Sequence, residues 1–184
     1  MSARRIAYLS FTERGAALAE QLRAALGGTA SCTRRIEGFS LPQWTAEAFG
    51  AFDALVFVGA VGIAVRAVAP FLKSKARDPA VVAVDECGRF AVPVVSGHLG
   101  GANDLAREIA AICGAVAVIT TATDANGLFA VDEWAKHQNC AVTDPHGIKA
   151  VSARILAGET VRVRSEWPVE GECPVGVALT DGPD

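Results

Sequence analysis

The segment SGHLGGAN, residues 96–103, holds the densest group of residues in the chain that could carry chemistry. Its glycines allow the backbone to approach a ligand closely and to adopt a positive φ. The imidazole of His98 can titrate near neutral pH, as a general base requires. The successive N–H groups of Gly100 and Gly101 can stabilise an oxyanion, and Asn103 adds an amide. The alternative is a glycine-rich turn whose histidine caps the following helix.

Two other segments of small residues also follow predicted strands. Residues 59–62 (GAVG) predict a tight turn into a helix, with Arg66 in its first turn available to an anion. Their glycines complete neither a dinucleotide-binding fingerprint nor a P-loop. Residues 120–124 (TTATD) end another strand, and Asp124 there is either a helix N-cap or a proton shuttle.

A short basic cluster, Lys73, Lys75 and Arg77, interrupts an otherwise scattered charge distribution. It is either a solvated helix end or an anion-binding site. The net charge of −3 over 184 residues gives no electrostatic argument for a nucleic-acid partner. A hydrophobic fraction of 51% and a charged fraction of 20% indicate a folded globular protein.

The first residues do not form a signal peptide, and no apolar run is long enough to span a bilayer, so we expect a soluble, cytoplasmic protein. The five cysteines form no C-x-x-C pair, and the three histidines lack ligand spacing. The sequence therefore predicts neither a disulfide framework nor a metal site.

Strands and helices alternate along the first part of the chain. Strands are predicted at 4–9, 30–33, 53–58, 81–84, 90–95 and 115–119, and helices at 13–26, 43–49, 63–72 and 102–112. This order predicts a mostly parallel sheet in a three-layer α/β/α sandwich. The turn at 85–88 implies one antiparallel pair.

A turn signal at Asn126-Gly127 suggests a boundary between an N-terminal α/β domain, 1–124, and a smaller α/β region, 125–184. The smaller region is predicted to contain helices at 128–138 and from Asp144-Pro145 to Gly158, and strands at 140–142, 160–164 and 175–179. The chain stops without a closing element, which indicates a piece of a longer protein.

Ligands of open α/β sheets bind at the carboxyl ends of the strands. We therefore expect the segments 59–62, 96–103 and 120–124 to meet at one edge of the sheet. Helix N-termini at that edge would favour a ligand rich in carboxylates or phosphates.

These segments together resemble the cobalt-precorrin 5A hydrolase family, the cobalamin-biosynthesis G proteins, over its N-terminal and central regions. The matching stretches are 58–67, 69–75, 78–82, 96–103 and 120–124. The resemblance covers nearly the whole chain, and the strings SGHLGGAN and TTATD in combination are its most specific part. Full-length members usually continue into a C-terminal domain that this chain lacks, so the resemblance leaves two alternatives: the chain acts alone, or it acts with a separate protein that carries that domain.

The resemblance implies an anaerobic cobalamin-biosynthesis enzyme that opens the δ-lactone of cobalt-precorrin 5A. C-20 and its methyl group then leave as acetaldehyde, giving cobalt-precorrin 5B. Cobalt would arrive within the substrate, so no cofactor is expected. The catalytic residues are then His98 and Asp124, with either of them removing the hydroxyl proton. The residues expected to bind the substrate are Gly59, Ala60, Gly62, Arg66, Lys73, Ser96, Gly97, Gly100, Gly101, Asn103, Thr120, Thr121 and Thr123.

Two alternatives stand beside this hypothesis. The first is a non-catalytic corrinoid-binding module that needs the C-terminal domain for activity. The second is an unrelated α/β domain that binds a nucleotide or another small ligand, and the incomplete dinucleotide fingerprint argues against it.

Overall fold

A six-stranded sheet organises the first of two units, which comprise residues 1–119 and 120–184. The structure, a computed structural model, describes residues 4–74, 77–138, 140–169 and 172–180. The strands are β1 Ile6–Ser10, β2 Thr29–Cys32, β3 Ala54–Val58, β4 Ala80–Val84, β5 Phe90–Val95 and β6 Val116–Ala117. Their order in the sheet is β2-β1-β3-β4-β5-β6, and all neighbours are parallel except β4 and β5.

Helices cover both faces of this sheet, which confirms the predicted α/β/α layers. They are α1 Glu13–Leu26, α2 Leu41–Ala51, α3 Val61–Val68 and α4 Ala102–Cys113. Helices α1 and α4 bury Leu22 and Leu105 on one face, whereas α2 and α3 bury Ala48 and Val68 on the other. The central strands β1, β3 and β4 are buried along their whole length, as continuous apolar runs predict.

Helix α3 is shorter than predicted, and this moves Arg66. The predicted helix 63–72 consists of α3 followed by a 3₁₀ turn at Ala69–Phe71 that contains Pro70. Proline has no N–H to donate to the carbonyl four residues back, and its ring crowds that carbonyl, so an α-helix tends to end near it. Arg66 consequently lies in the last turn of α3, and its predicted place in the first turn was wrong.

The connection between β4 and β5 reverses the direction of the chain. The carboxylate of Asp85 accepts hydrogen bonds from the N–H groups of Cys87, Arg89 and Phe90 at 3.0, 2.8 and 2.7 Å. Burial by itself would raise the pKa of Asp85, but these three donors and the nearby guanidinium of Arg89 hold it below its usual range. Strands β4 and β5 pair antiparallel on either side of this turn, which confirms the predicted antiparallel pair.

Strand β6 is an edge strand rather than the buried strand predicted at 115–119. Only Val116 and Ala117 are assigned to it, although the N–H of Val118 also donates to the carbonyl of Ala91 at 2.8 Å. Val116 is 59% exposed. An edge strand pairs on one side only, so part of its surface stays open to solvent.

The second unit contains three helices and a parallel pair of short strands among its described residues. These elements are α5 Ala122–Ala125, α6 Val131–His137, α7 Pro145–Leu156, β7 Val161–Val163 and β8 Val177–Leu179. Asp144 caps α7 by accepting from the N–H of His146 at 2.9 Å, as its position before Pro145 predicts. The sequence-based boundary after Asp124 falls inside α5.

The strand predicted at 140–142 is absent from these described residues. The N–H of Cys140 instead donates to the carbonyl of Ala135 at 2.8 Å, which closes the end of α6. No helix in the described parts of the chain is long and apolar enough to cross a bilayer.

Replacing Asp85 with Ala should lower the free energy of unfolding by about 1.5–3 kcal/mol, because three N–H groups lose a charged acceptor. The control is Glu37→Ala, which makes the same charge change at an exposed position. Folding lowers the pKa of the Asp85 carboxyl. Its contribution to stability is therefore complete above the unfolded-state pKa of about 3.9, and it is lost as the pH falls through the lower pKa of the folded state. The difference between Asp85→Ala and wild type in urea titrations should therefore shrink in acid; a constant difference would contradict the assignment.

Tyr8 is the only tyrosine in the chain, so its ionisation can be followed by absorbance. Its hydroxyl is buried and has no hydrogen-bond partner among the described residues. Burial raises the pKa of Tyr8 to about 12. The charge of Arg4 lowers this pKa and the charge of Glu108 raises it, and both effects are smaller than that of burial. The folded state keeps a proton that the unfolded state releases near pH 10, so stability should fall between about pH 10 and about 12. Tyrosinate absorbance that appears at pH 10 in the folded protein would show that the ring is not buried.

Candidate functional site

The reversed direction of β5 divides the predicted site residues of the first unit between two opposite edges of the sheet. The N–H of Gly59 donates to the carbonyl of Val84 at 2.8 Å, so the 59–62 turn lies beside the β4–β5 turn. Val95, at the end of β5, is instead paired with Val81 near the start of β4. A five-residue strand is roughly 16 Å long. The expectation that 59–62 and 96–103 meet at one edge is therefore wrong.

We call the edge at the start of β4 and the end of β5 the amino edge, and the other the carboxyl edge. The amino edge carries the 96–103 segment and the 73–78 loop, which precedes β4. The two loops are joined by a hydrogen bond from Ser96 Oγ to the carbonyl oxygen of Asp78, at 3.0 Å. Lys73 and His98 thus belong to one edge.

The 96–101 turn is closely packed around Ser96. Ser96 has φ +58° and is the one non-glycine residue of the described chain with a positive φ. A Cβ on Gly100 would lie 2.3 Å from Ser96 Cβ and 2.8 Å from its carbonyl oxygen. A Cβ on Gly97 would lie 2.9 Å from Oδ1 of Asn103, which is 2% exposed. The glycines of this segment are required by close packing, and His98 lies half-buried between them.

The N–H groups at the start of α4 are largely used within the turn itself. Those of Gly101, Ala102 and Asn103 donate to the carbonyls of His98, Ser96 and Gly97 at 2.9, 3.0 and 3.0 Å. The predicted oxyanion role of the Gly101 N–H is therefore wrong, because that donor already has an acceptor. The N–H of Gly100 donates to no other group in the described part of the chain, so Gly100 keeps that role.

The 73–78 loop buries the carboxylate of Asp78 and exposes Lys73 and Arg77, whereas Lys75 of the predicted basic cluster lies outside the described residues. The Asp78 side chain is 8% exposed and accepts from the N–H groups of Lys73 and Ser74, each at 2.9 Å. Lys73 and Arg77 are exposed, and neither forms an ion pair with a residue that the structure describes. By contrast, Arg5 pairs with Asp53 at 2.8 Å.

The predicted residues of the carboxyl edge have a different environment. A Cβ on Gly59 would lie 2.8 Å from the Phe11 ring, so this glycine is required by packing. Gly62 has open space, and Ala60 is the N-cap of α3 without a side-chain hydrogen bond. Glu86 lies at this edge and accepts from Thr12 Oγ1 at 2.6 Å.

In the second unit, α5 organises the predicted threonines. Thr121 is the N-cap of α5 and its Oγ1 donates to Asp124 Oδ2 at 2.5 Å. Asp124 is therefore inside the helix rather than its N-cap, which removes that alternative. Thr123 is buried, whereas Thr120 is exposed. His98 and Asp124 belong to different units, and the contact expected between their segments stays a prediction.

Three residues that the sequence left out of the site are Asp78, Arg77 and Glu133. Asp78 anchors the cationic loop, and its position before a proline and a buried strand was the available signal. The sequence indicated Arg77 as a member of the basic cluster and not as a residue of the site. Glu133 is half-buried, and its carboxylate oxygen lies within 4.8 Å of one of Asp124. Helical spacing alone did not reveal that proximity.

Comparison with known families and proteins gives consistent matches. Residues 43–124 match the family described as Cobalamin synthesis G N-terminal, and residues 129–179 match the Cobalamin biosynthesis central region. The chain is 38% identical to the cobalt-precorrin-5A hydrolase of Salmonella typhimurium, strain LT2, over 92% of its length. It is 36% identical to that of Priestia megaterium over 70% of its length.

A solved structure supports the fold. The crystal structure of a cobalamin biosynthesis protein G homolog from Sulfolobus solfataricus superimposes with a TM-score of 0.59 at 24% identity, covering 99% of this chain and 58% of that one. The chain spans about half the length of the Salmonella relative, 52%, and 36% of the Priestia one. Because the N-terminal and central regions both match, in order and along one chain, this protein belongs to the cobalamin synthesis G family.

Proposed function

We propose that this chain works in cobalamin biosynthesis as the hydrolytic part of a cobalt-precorrin 5A hydrolase. The observation that carries the proposal is the amino edge, where the imidazole of His98 is held on a closely packed turn beside a loop with two exposed cations, which form no ion pair with any residue that the structure describes. The names of the relatives support the same substrate.

The substrate chemistry suits such an edge. A corrinoid intermediate carries acetate and propionate arms, so its binding site needs cations near the reacting group. Lys73 and Arg77 supply these cations. The Asp78 carboxylate accepts hydrogen bonds from backbone N–H groups, so it does not pair with either cationic side chain. Cobalt belongs to the substrate in this proposal.

In the proposed first step, His98 accepts a proton from water as the water oxygen attacks the lactone carbonyl carbon. The Gly100 N–H stabilises the oxyanion. The bond between the carbonyl carbon and the ring oxygen then breaks, which leaves a carboxylate on the acetate arm and a hydroxyl on C-20. The proton held by His98 is available for that hydroxyl oxygen.

In the proposed second step, Asp124 or His98 removes the hydroxyl proton. The C–O bond becomes a carbonyl as the bond from C-20 to the macrocycle breaks, and acetaldehyde leaves. The electron pair of the broken bond stays on the macrocycle, which takes up a proton.

A second candidate is a corrinoid-binding module that becomes active only with a further domain. The activity named for the Salmonella relative belongs to a protein of which this chain spans 52%, so binding by this chain alone is tested beside hydrolysis. This module would bind the corrinoid at the same amino edge but release no acetaldehyde by itself.

Replacing His98 with Ala should reduce acetaldehyde release from cobalt-precorrin 5A by about 10²–10⁴-fold, the usual contribution of a general base. The matched control is His146→Ala, which removes an exposed imidazole from α7 and should keep wild-type turnover. Both variants should melt at temperatures close to that of the wild type.

The same assay separates the two candidates. Acetaldehyde production by the isolated chain supports the hydrolase, whereas binding of the corrinoid without acetaldehyde supports the module. Full activity of His98→Ala would overturn the catalytic assignment, and equal losses in both histidine variants would show that the effect is not specific to His98.

A further inference from the structure

Ser96 was expected to bind the substrate, but its environment suits another role. The residue is 7% exposed, and its hydroxyl already donates to the Asp78 carbonyl. Its own carbonyl accepts from the first N–H of α4, that of Ala102. A buried side chain whose hydrogen bond is satisfied within the protein is poorly placed to contact a ligand.

Ser96 adopts a conformation that costs free energy. A left-handed φ of +58° is unfavourable for a residue with a Cβ, and it persists only where the surroundings enforce it. Gly100 lies against Ser96 so closely that it has no room for a side chain. Glycine would relieve the strain at position 96, but it would lose the hydroxyl that reaches Asp78.

Asp78 connects this serine to the cations. Its carbonyl accepts from Ser96, and its carboxylate accepts from the N–H groups of Lys73 and Ser74. One residue therefore joins the turn that carries His98 to the loop that carries Lys73 and Arg77. Breaking the Ser96 bond should loosen both loops together.

We propose that Ser96 is a positioning residue: through its hydrogen bond to Asp78 it fixes the His98 turn against the 73–78 loop. An anionic arm held by Lys73 and Arg77 then presents the reacting group to the imidazole. The catalytic part of this inference rests on the proposed hydrolase function, whereas the coupling of the two loops does not.

The coupling is tested by amide hydrogen exchange in Ser96→Gly, Ser96→Ala and a control, Ser10→Ala. Ser10 is a suitable match because its buried hydroxyl also donates to a backbone carbonyl, that of Ser31, at 3.1 Å. Exchange at Lys73, Ser74 and Ala102 should accelerate about 3- to 10-fold in both Ser96 variants, as expected for the loss of one such bond. Ser10→Ala should leave those amides unchanged.

Turnover of cobalt-precorrin 5A provides the second readout. In Ser96→Gly, kcat should fall about 10- to 100-fold while KM changes less than about 3-fold, because the cations remain but the imidazole is misplaced. A uniform loss of stability would instead act equally in Ser10→Ala. Ser96→Gly also relieves the backbone strain, so it remains informative if Ser96→Ala fails to fold.

The outcomes are distinct. The proposal is overturned if Ser96→Gly keeps the exchange rates and the kcat of the wild type. It is also overturned if Ser10→Ala changes exchange and kcat as much as the Ser96 variants do. Faster exchange at Ala102 alone would show that the two loops are not coupled and would also overturn it. If the wild-type chain releases no acetaldehyde, the proposed hydrolase activity of the chain fails, and the exchange result still decides the coupling.

Discussion

The reversal of the chain between β4 and β5 determines which functional loops of the first unit can share a ligand. Three backbone N–H groups that converge on the Asp85 carboxylate fix this turn. If β5 ran parallel to β4, the histidine turn would lie at the same edge as Gly59. Because it runs antiparallel, the histidine turn lies beside the loop that precedes β4. One tight turn thus brings His98 to the cationic loop and separates it from the glycines after β3.

The amino edge combines an imidazole with two cations, and no carboxylate that the structure describes pairs with either of them. Buried carboxylates usually pair with a nearby cation, but Asp78 is satisfied by the N–H groups of its own loop. The positive charges of Lys73 and Arg77 stay available to a ligand as a result. The strained conformation of Ser96 is consistent with this arrangement, because strain that the surroundings maintain is often found at functional sites.

Local sequence patterns predicted most elements of the first unit. The predicted strand at 53–58 and the predicted helix at 13–26 both appear in the structure, and Thr12 caps that helix because its Oγ1 accepts from the Gly15 N–H at 3.0 Å. The predictions were wrong where contacts between residues distant in the sequence determine the structure. The 85–88 turn predicts the hairpin, but the edge at which each later loop lies depends on the direction of β5 within the sheet. The left-handed Ser96 and the used Gly101 N–H depend on contacts across a folded turn, and neighbouring residue types do not specify them.

The central claim is that an anionic corrinoid binds at the amino edge of the sheet. Backbone amide chemical shifts, recorded while a corrinoid polycarboxylate is added to the ¹⁵N-labelled chain, test it most directly. The resonances of Lys73, Ser74, His98 and Gly100 should shift, those of Gly59 and Gly62 should not, and the fully methyl-esterified corrinoid should bind more weakly. Shifts confined to Gly59 and Gly62, or equal binding of the acid and the ester, would contradict the account.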